Sequence, residues 1–210
     1  MNQPSIVIVD YAVGNTQSVW NAIQALDYRR LKISNQPREI AAADVLVLPG
    51  VGAFEACMQN LRIRNLDEIL NEAVLIKRKP ILGICVGMQL MANFSEEHGV
   101  HAGLGWIPGR VVRLNVEAPF VVPHVGWNDL QVNQTSPLFS RTDKDPHFYF
   151  DHSYHYQCDP KFVAATSEYS VPIAAAISHN NIHGVQFHPE KSQTNGLKLF
   201  RSFFNAVNQC

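Results

Sequence analysis

Short apolar runs alternate with amphipathic segments through the first half of the chain. Three of these runs have the length and continuous apolar character of strands that are buried on both faces of a parallel sheet. They are Ser5–Asp10, Val45–Leu48 and Ile81–Ile84. Because a segment with apolar residues at helical spacing follows each run, the pattern predicts a doubly wound α/β sheet with parallel strands.

The predicted helices have apolar residues that recur every three or four positions. They are Thr16–Leu26, Phe54–Leu61, Leu66–Val74 and Met88–Phe94. Thr16 is the predicted N-cap of the first helix, because a threonine hydroxyl can accept a hydrogen bond from one of the free N–H groups there.

From about residue 110 the pattern changes to strands joined by short turns, and Asn180-Asn181 predicts a hairpin turn. The predicted strands are Arg110–Leu114, His147–Phe150, Phe162–Thr166, Ile173–Ser178 and Ile182–Phe187. Apolar residues over 197–207 predict a closing helix. Since no linker or repeat interrupts the chain, we expect one domain over residues 1–210. Its central sheet would be mostly parallel and flanked by helices, with an additional antiparallel portion in the second half.

Composition narrows the classes of function. Apolar residues make up 46% and charged residues 17% of the 210 residues, and the net charge is −1. A chain without a basic excess lacks the electrostatic footprint of a nucleic-acid-binding protein, and no apolar run approaches the roughly 18 residues that indicate a membrane span. The cysteines are too irregularly spaced for a disulfide framework or a zinc knuckle, which favours a reducing, cytoplasmic location. They are Cys57, Cys85, Cys158 and Cys210.

The strongest chemical signal is the pentapeptide Gly83-Ile84-Cys85-Val86-Gly87, at the end of a predicted strand. It matches the nucleophile elbow, in which two glycines permit a sharp strand-to-helix turn that exposes the residue between them. The start of a helix would favour the thiolate form of Cys85. On the pentapeptide alone, a small buried cysteine between two packing glycines is an equal alternative.

A nucleophilic cysteine needs a base, and His188-Pro189-Glu190 supplies one at the end of another apolar run. Residues two apart on an extended chain point the same way, so Glu190 is predicted to orient the imidazole of His188. Pro49-Gly50-Val51-Gly52 ends a further strand, and its peptide groups together with the Val86 amide are candidates for an oxyanion hole.

The remaining histidines and glycines do not form a metal or nucleotide signature. The close histidines His147, His152 and His155 have no cysteine or carboxylate cluster beside them, and a turn separates His179 from His183. The Pro49–Gly52 segment lacks the third glycine of a dinucleotide-binding fingerprint. We therefore expect neither a metal nor a cofactor.

Taken together, Gly83–Gln89, His188–Ser192 and Pro49–Gly52 resemble the class I (triad) glutamine amidotransferases. More narrowly, the chain is similar over essentially its whole length to the glutaminase subunits of imidazole glycerol phosphate synthase. The segments that carry this narrower resemblance are Asp10–Asn15, Pro123–Asn128 and Tyr149–Tyr154. The resemblance implies that glutamine is hydrolysed to glutamate and ammonia. It also implies that the ammonia passes to a (β/α)₈-barrel cyclase partner in histidine biosynthesis.

The same resemblance implies a role for each matching residue. Cys85 would attack the glutamine amide, His188 would transfer the proton, and Glu190 would orient His188. The other roles are the oxyanion hole (Val51, Gly52, Val86), glutamine binding (Gly50, Gln89, Ser153, Tyr154) and docking of the barrel (Asn15, Trp127, Tyr149, Lys191, with Tyr11 on the same face).

Two positions depart from the family pattern. Asp151 stands where an apolar residue is usual, and Ala12 replaces a glycine, both near the implied partner face. This leaves a second partner open, a barrel enzyme that installs amidino groups on surface-polysaccharide sugars. A cysteine peptidase of the same fold is a weaker alternative, because it has no use for a docking face. A binding module without activity is weaker still, because Cys85, His188 and Glu190 are all present.

Overall fold

The computed structural model describes residues 3–133, 136–139 and 146–207. Its strands are β1 (Ile6–Val9), β2 (Leu31–Ser34), β3 (Val45–Gly50), β4 (Ile81–Cys85), β5 (Phe94–Ser95), β6 (His101–Ala102), β7 (Gly109–Arg113), β8 (His124–Asp129), β9 (Gln131–Val132), β10 (His147–His152), β11 (Tyr154–Cys158), β12 (Val163–Tyr169), β13 (Val171–His179) and β14 (Ile182–Val185). Its α-helices are α1 (Thr16–Gln24), α2 (Pro37–Ala42), α3 (Phe54–Ile63), α4 (Leu66–Asn71), α5 (Val86–Gln89) and α6 (Gln193–Val207). A π-helix over Glu72–Ile76 extends α4.

The main sheet has eight strands in the order β2-β1-β3-β4-β14-β13-β12-β9. The pairs from β2 to β14 are parallel, and those from β14 to β9 are antiparallel. Every residue of β1, β3 and β4 is buried, as their continuous apolar sequences require. The α/β fold with a mostly parallel sheet and an antiparallel portion in the second half is therefore confirmed.

Two smaller sheets accompany the main one. Strands β8 and β10 form an antiparallel pair, and the other sheet has the order β11-β7-β5-β6. The backbone N–H of His188 donates to the carbonyl oxygen of Tyr149 in β10 at 2.8 Å. This bond places the β8–β10 pair directly beyond the carboxyl end of β14.

The predicted helix over Met88–Phe94 is wrong. Helix α5 ends at Gln89, and Phe94 belongs to a strand. The carbonyl groups of Leu90 and Met91 accept hydrogen bonds from the loop amides of Leu104 and Trp106 instead of from a further helical turn. Long-range bonding thus overrides the local apolar spacing.

Several other boundaries differ from the prediction. The N-cap of α1 is Asn15 rather than Thr16, and it makes no side-chain capping bond. The strand predicted over Ile182–Phe187 ends at Val185. Cys210 lies outside the described residues. Within the described parts of the chain, none of the helices has the length and apolar character needed to cross a membrane.

Candidate active site

The turn between β4 and α5 presents Cys85 in a strained conformation. Its φ is +54° and its ψ is −112°, a region that residues with a side chain rarely adopt. A Cβ atom on Gly87 would lie 1.8 Å from the Leu48 carbonyl oxygen, and one on Gly83 would lie 2.6 Å from the Met91 side chain. Both glycines of the pentapeptide are therefore required by close packing.

The base follows the neighbouring strand. Strand β14 pairs with β4 in parallel, so the chain beyond it arrives beside Cys85. His188 Nδ1 lies 2.8 Å from Glu190 Oε1, and the two side chains are only 4% and 1% exposed. Glu190 reaches the imidazole because a 3₁₀ turn over Pro189–Lys191 folds the chain back, and not through an extended segment as the spacing predicted.

The electrostatic surroundings favour a cationic imidazole. Burial lowers the pKa of His188, but hydrogen bonds to Cys85 and Glu190 and the charges of both groups outweigh burial and raise it to about 10. A positive charge next to a cysteine sulfur favours the thiolate. His188 therefore lies beside Cys85 as a cationic ring, with Glu190 behind it.

A cavity of about 310 Å³ opens in front of Cys85. It brings together nine of the residues predicted from the sequence, namely Val51, Gly52, Cys85, Val86, Gln89, Ser153, Tyr154, His188 and Lys191. Glu97, Pro123, Asp151 and His152 complete its lining. The dimensions suit a small molecule, and the carboxyl groups of Glu97 and Asp151 give its wall negative charge.

Gly50 and Tyr11 do not lie where the sequence predicted them. A Cβ on Gly50 would lie 2.6 Å from the Gly87 nitrogen and 2.8 Å from the Tyr11 hydroxyl, so Gly50 packs behind the cavity wall and does not line the cavity. Tyr11 was expected on the docking face, but its side chain is fully buried. Its hydroxyl donates to the Pro49 carbonyl oxygen at 2.7 Å, so it supports the Pro49–Gly52 loop from within.

The Pro49–Gly52 loop borders the cavity through Val51 and Gly52. The Cys57 thiol on α3 donates to the Val51 carbonyl oxygen at 3.5 Å. Because a trans peptide directs its C=O and N–H to opposite sides, the Gly52 N–H points away from Cys57. The Val86 N–H is the first of α5, where amides have no acceptor within the helix. These two N–H groups are the candidates for an oxyanion hole.

Of the residues predicted to dock a partner, Lys191 lines the cavity, whereas Trp127, Tyr149 and Asn15 do not. Trp127 is 45% exposed, and it pairs across β8 and β10 with Tyr149, with the ring centres 6.2 Å apart. Lys191 Nζ lies 5.4 Å from the centre of the Tyr149 ring and 4.0 Å from an Asp151 carboxylate oxygen. Asn15 precedes α1, half-buried.

A directional chain of hydrogen bonds runs from Asn128 and His124 on β8 to the cavity wall at His152 and Tyr154. His152 Nδ1 lies 2.8 Å from the Tyr154 carbonyl oxygen, which can only accept, so His152 donates there. His152 Nε2 must then accept from His124 Nδ1 at 3.1 Å, and His124 Nε2 accepts from the Asn128 amide at 3.4 Å. Burial lowers the pKa of His124 to about 4 and that of His152 to about 3, so both are neutral at neutral pH.

Gln186 is a site residue that the sequence reasoning missed. It is fully buried, and its amide lies 3.7 Å from the Cys85 sulfur. Its polar side chain within the apolar run between Val185 and Phe187 was the signal that could have identified it, because a buried amide needs hydrogen-bond partners. Glu97 is a second residue of the cavity lining that the sequence reasoning missed. Its carboxylate accepts a hydrogen bond from the Phe54 N–H at 2.7 Å and so holds the start of α3.

Comparison with known proteins decides the family. Residues 7–207 match the model of the class-I glutamine amidotransferases. The chain belongs to this family. It is therefore a glutamine amidotransferase of the kind that uses a cysteine.

Among curated relatives, this amidotransferase is similar to the imidazole glycerol phosphate synthase subunit HisH 2 of Vibrio vulnificus. The two are 46% identical over 96% of this chain and 94% of the relative. A subunit HisH of Listeria monocytogenes is 45% identical over 98% and 97% of the two chains. The solved structure of PurLQS from Thermotoga maritima has the same fold, with a TM-score of 0.72, 18% identity and coverage of 98% of this chain and 100% of that one.

Proposed function

We propose that this amidotransferase is the glutaminase subunit of an imidazole glycerol phosphate synthase. It would form a heterodimer with a (β/α)₈-barrel cyclase in the cytoplasm and pass ammonia to it for histidine biosynthesis, as part of a lyase. The names of its relatives, at about 45% identity over nearly the whole chain, support this assignment. The observation that carries the chemistry is that Cys85 and His188 line the same cavity, with the His188 ring bonded to Glu190 at 2.8 Å.

The first half of the reaction forms a thioester. The Cys85 thiolate attacks the side-chain carbonyl carbon of glutamine, and the carbonyl oxygen becomes an oxyanion that accepts hydrogen bonds from the Val86 and Gly52 amides. The His188 imidazolium donates its proton to the departing nitrogen, so the carbon–nitrogen bond breaks and ammonia leaves. Glu190 holds the ring in the required tautomer throughout.

The second half returns the enzyme to its starting state. Neutral His188 removes a proton from water, which attacks the thioester carbon, and glutamate leaves as the sulfur regains its negative charge. Gln89, Ser153 and Tyr154 line the cavity where the glutamine chain would lie. The exposed Trp127 ring and the half-buried Tyr149 ring paired with it suit a partner that receives the ammonia there.

Replacing the nucleophile tests this division of labour. Cys85→Ala should reduce glutamine-dependent synthesis in the complex with the cyclase by at least about 10⁴-fold, because the thioester can no longer form. Synthesis from added ammonium salt should remain at the wild-type rate, because only the partner acts on the acceptor. Equal loss of both activities would contradict the proposal. Cys158→Ala, on strand β11, serves as the matched control.

A further inference from the structure

Gln186 occupies a position that the triad mechanism does not explain. Its side chain is completely buried, and burying an amide without hydrogen bonds is strongly unfavourable. Both ends of the amide have partners. Gln186 Oε1 lies 3.0 Å from Gln89 Nε2, and Gln186 Nε2 lies 3.7 Å from Cys85 Sγ.

The orientation of the amide follows from one backbone carbonyl. Gln89 Nε2 lies 3.0 Å from the Tyr154 carbonyl oxygen, which can only accept, so the NH₂ end of Gln89 must face it. The second N–H of that NH₂ group points at Gln186, which must therefore present its oxygen. The NH₂ end of Gln186 is then directed at the sulfur of Cys85.

The NH₂ group of Gln186 interacts differently with the thiol and the thiolate forms of Cys85. An NH₂ group donates and cannot accept, so a thiol S–H gains nothing by pointing at Gln186, whereas a thiolate accepts a hydrogen bond that its charge strengthens. The ionisable groups nearest the sulfur are His188, with Glu190 behind its ring, and Tyr11 and Cys57 beneath it. Glu97, Asp151, His152 and Lys191 also line the cavity in front of the sulfur, where Lys191 Nζ lies 4.0 Å from an Asp151 carboxylate oxygen.

We propose that Gln186 is a catalytic residue whose amide stabilises the Cys85 thiolate. The Cys85 proton moves to His188, and the N–H···S bond strengthens as the sulfur becomes negative. It weakens when the thioester forms and the sulfur is neutral. When water breaks the thioester, the electron pair returns to the sulfur and Gln186 again donates to it. The reaction context rests on the proposed function, but the effect on the sulfur is independent of it.

The test measures the sulfur directly, without substrate or partner. The full-length chain is alkylated with iodoacetamide from about pH 5 to pH 9, and labelling of each cysteine is followed by mass spectrometry. Cys57 and Cys158 serve as slow internal references, because burial raises the pKa of each to about 11. In wild type, Cys85 should be labelled first.

Gln186→Met keeps the side-chain volume and removes the donor. We expect the pH midpoint of Cys85 alkylation to rise by about one unit, so that alkylation is about tenfold slower at pH values well below the midpoint. Gln157→Met, the same exchange at an exposed position of β11, should leave the midpoint unchanged. A Gln186→Met variant with a wild-type midpoint and a wild-type melting temperature would overturn the proposal.

A second measurement needs no variant at Gln186. In ¹⁵N-labelled wild-type protein, the side-chain amide signals of Gln186 should shift with pH at the same midpoint as Cys85 alkylation, and Cys85→Ala should abolish this shift. Signals that do not titrate would overturn the proposal even where Gln186→Met fails to fold. A failure of the proposed function would give a different result. The complex with the cyclase would not hydrolyse glutamine, but the midpoint of Cys85 alkylation would still agree with that of the Gln186 amide signals.

Discussion

The turn that carries Cys85 and the sheet formed by β8 and β10 border the same cavity, but they are held in different ways. The turn is fixed by its main chain, since packed glycines leave no space for a side chain and Cys85 is 4% exposed. The β8–β10 sheet instead leaves Val125 and Trp127 about half exposed on its outer face. We call the turn that carries Cys85, together with His188 and Glu190, the inner region, and the β8–β10 sheet the outer region. The rigid inner region suits catalysis, whereas the exposed apolar side chains of the outer region suit a partner.

Ser192 connects the two regions. Its hydroxyl donates to the His188 carbonyl oxygen at 2.6 Å and accepts from the Tyr149 N–H at 3.0 Å. The His188 N–H also donates to the Tyr149 carbonyl oxygen. The strand that carries Tyr149, the partner of the exposed Trp127, therefore also holds the backbone of His188, so a single hydrogen bond links this strand to the catalytic base.

The largest expected effect is confined to the inner region. Glu190→Gln should lower the rate of glutamine hydrolysis by about 10³–10⁴-fold, because the buried partner that fixes the His188 tautomer is lost. Because Glu190 also raises the pKa of His188, that pKa should fall in the variant. Steady-state glutaminase kinetics measure the rate, and the histidine ring signals in NMR spectra report the pKa.

Glu190→Gln should leave binding of the cyclase unchanged, because the Glu190 side chain is buried behind His188. Calorimetric titration with the cyclase checks this. Glu72→Gln, at an exposed position on the π-helix, is the control for loss of a carboxylate. If the Glu190 variant kept wild-type hydrolysis, the triad assignment would be wrong.

The inner region was largely predictable from sequence, because local backbone requirements define it. Gly83 and Gly87 mark a turn that cannot tolerate side chains, and the apolar runs of β3, β4 and β14 place their carboxyl ends side by side. The helix over Met88–Phe94 was mispredicted, because backbone bonds to residues 103–107 end α5 after one turn. Such long-range bonds leave no trace in local spacing.

The outer region was less predictable. Strand β8 was missed because it lies in a two-stranded sheet with alternately exposed residues, including a glycine and a tryptophan, so its apolar pattern is weak. Tyr11 was misplaced because its hydroxyl finds a buried acceptor, the Pro49 carbonyl, which only the folded chain provides. The partner role of Trp127 stays a prediction.

A smaller effect should separate the outer region from the inner one. Trp127→Ala should weaken binding of the cyclase by about 2 kcal/mol, or roughly 30-fold in Kd, as expected for an exposed aromatic anchor. Glutamine hydrolysis by the isolated chain should not change, because Trp127 does not line the cavity. Ile63→Ala, at an 81% exposed position on α3, is the control for loss of an exposed apolar side chain. Wild-type affinity of the Trp127 variant would place the docking surface elsewhere.

The smallest effect concerns His124 and His152, which connect β8 to the cavity wall through hydrogen bonds. The folded state holds the pKa of His124 at about 4, below its ordinary value near 6.5, so the unfolded chain binds more protons between these values. His124 therefore stabilises the fold fully above about pH 6.5, and this contribution is lost as the pH falls towards 4. His124→Phe keeps the ring stacked between Phe150 and Tyr169 while removing the titrating group.

Urea unfolding at several pH values between about 4 and 7 measures the consequence. The slope of unfolding free energy against pH should become shallower in His124→Phe by up to one proton, about 1.4 kcal/mol per pH unit. At neutral pH the variant should also be less stable by about 1–2 kcal/mol, because His152 Nε2 loses its donor. Gln157→Met, which removes no titratable group from an exposed position, should keep the wild-type slope. A slope unchanged in His124→Phe would mean that the folded state does not hold the pKa of His124 below its ordinary value.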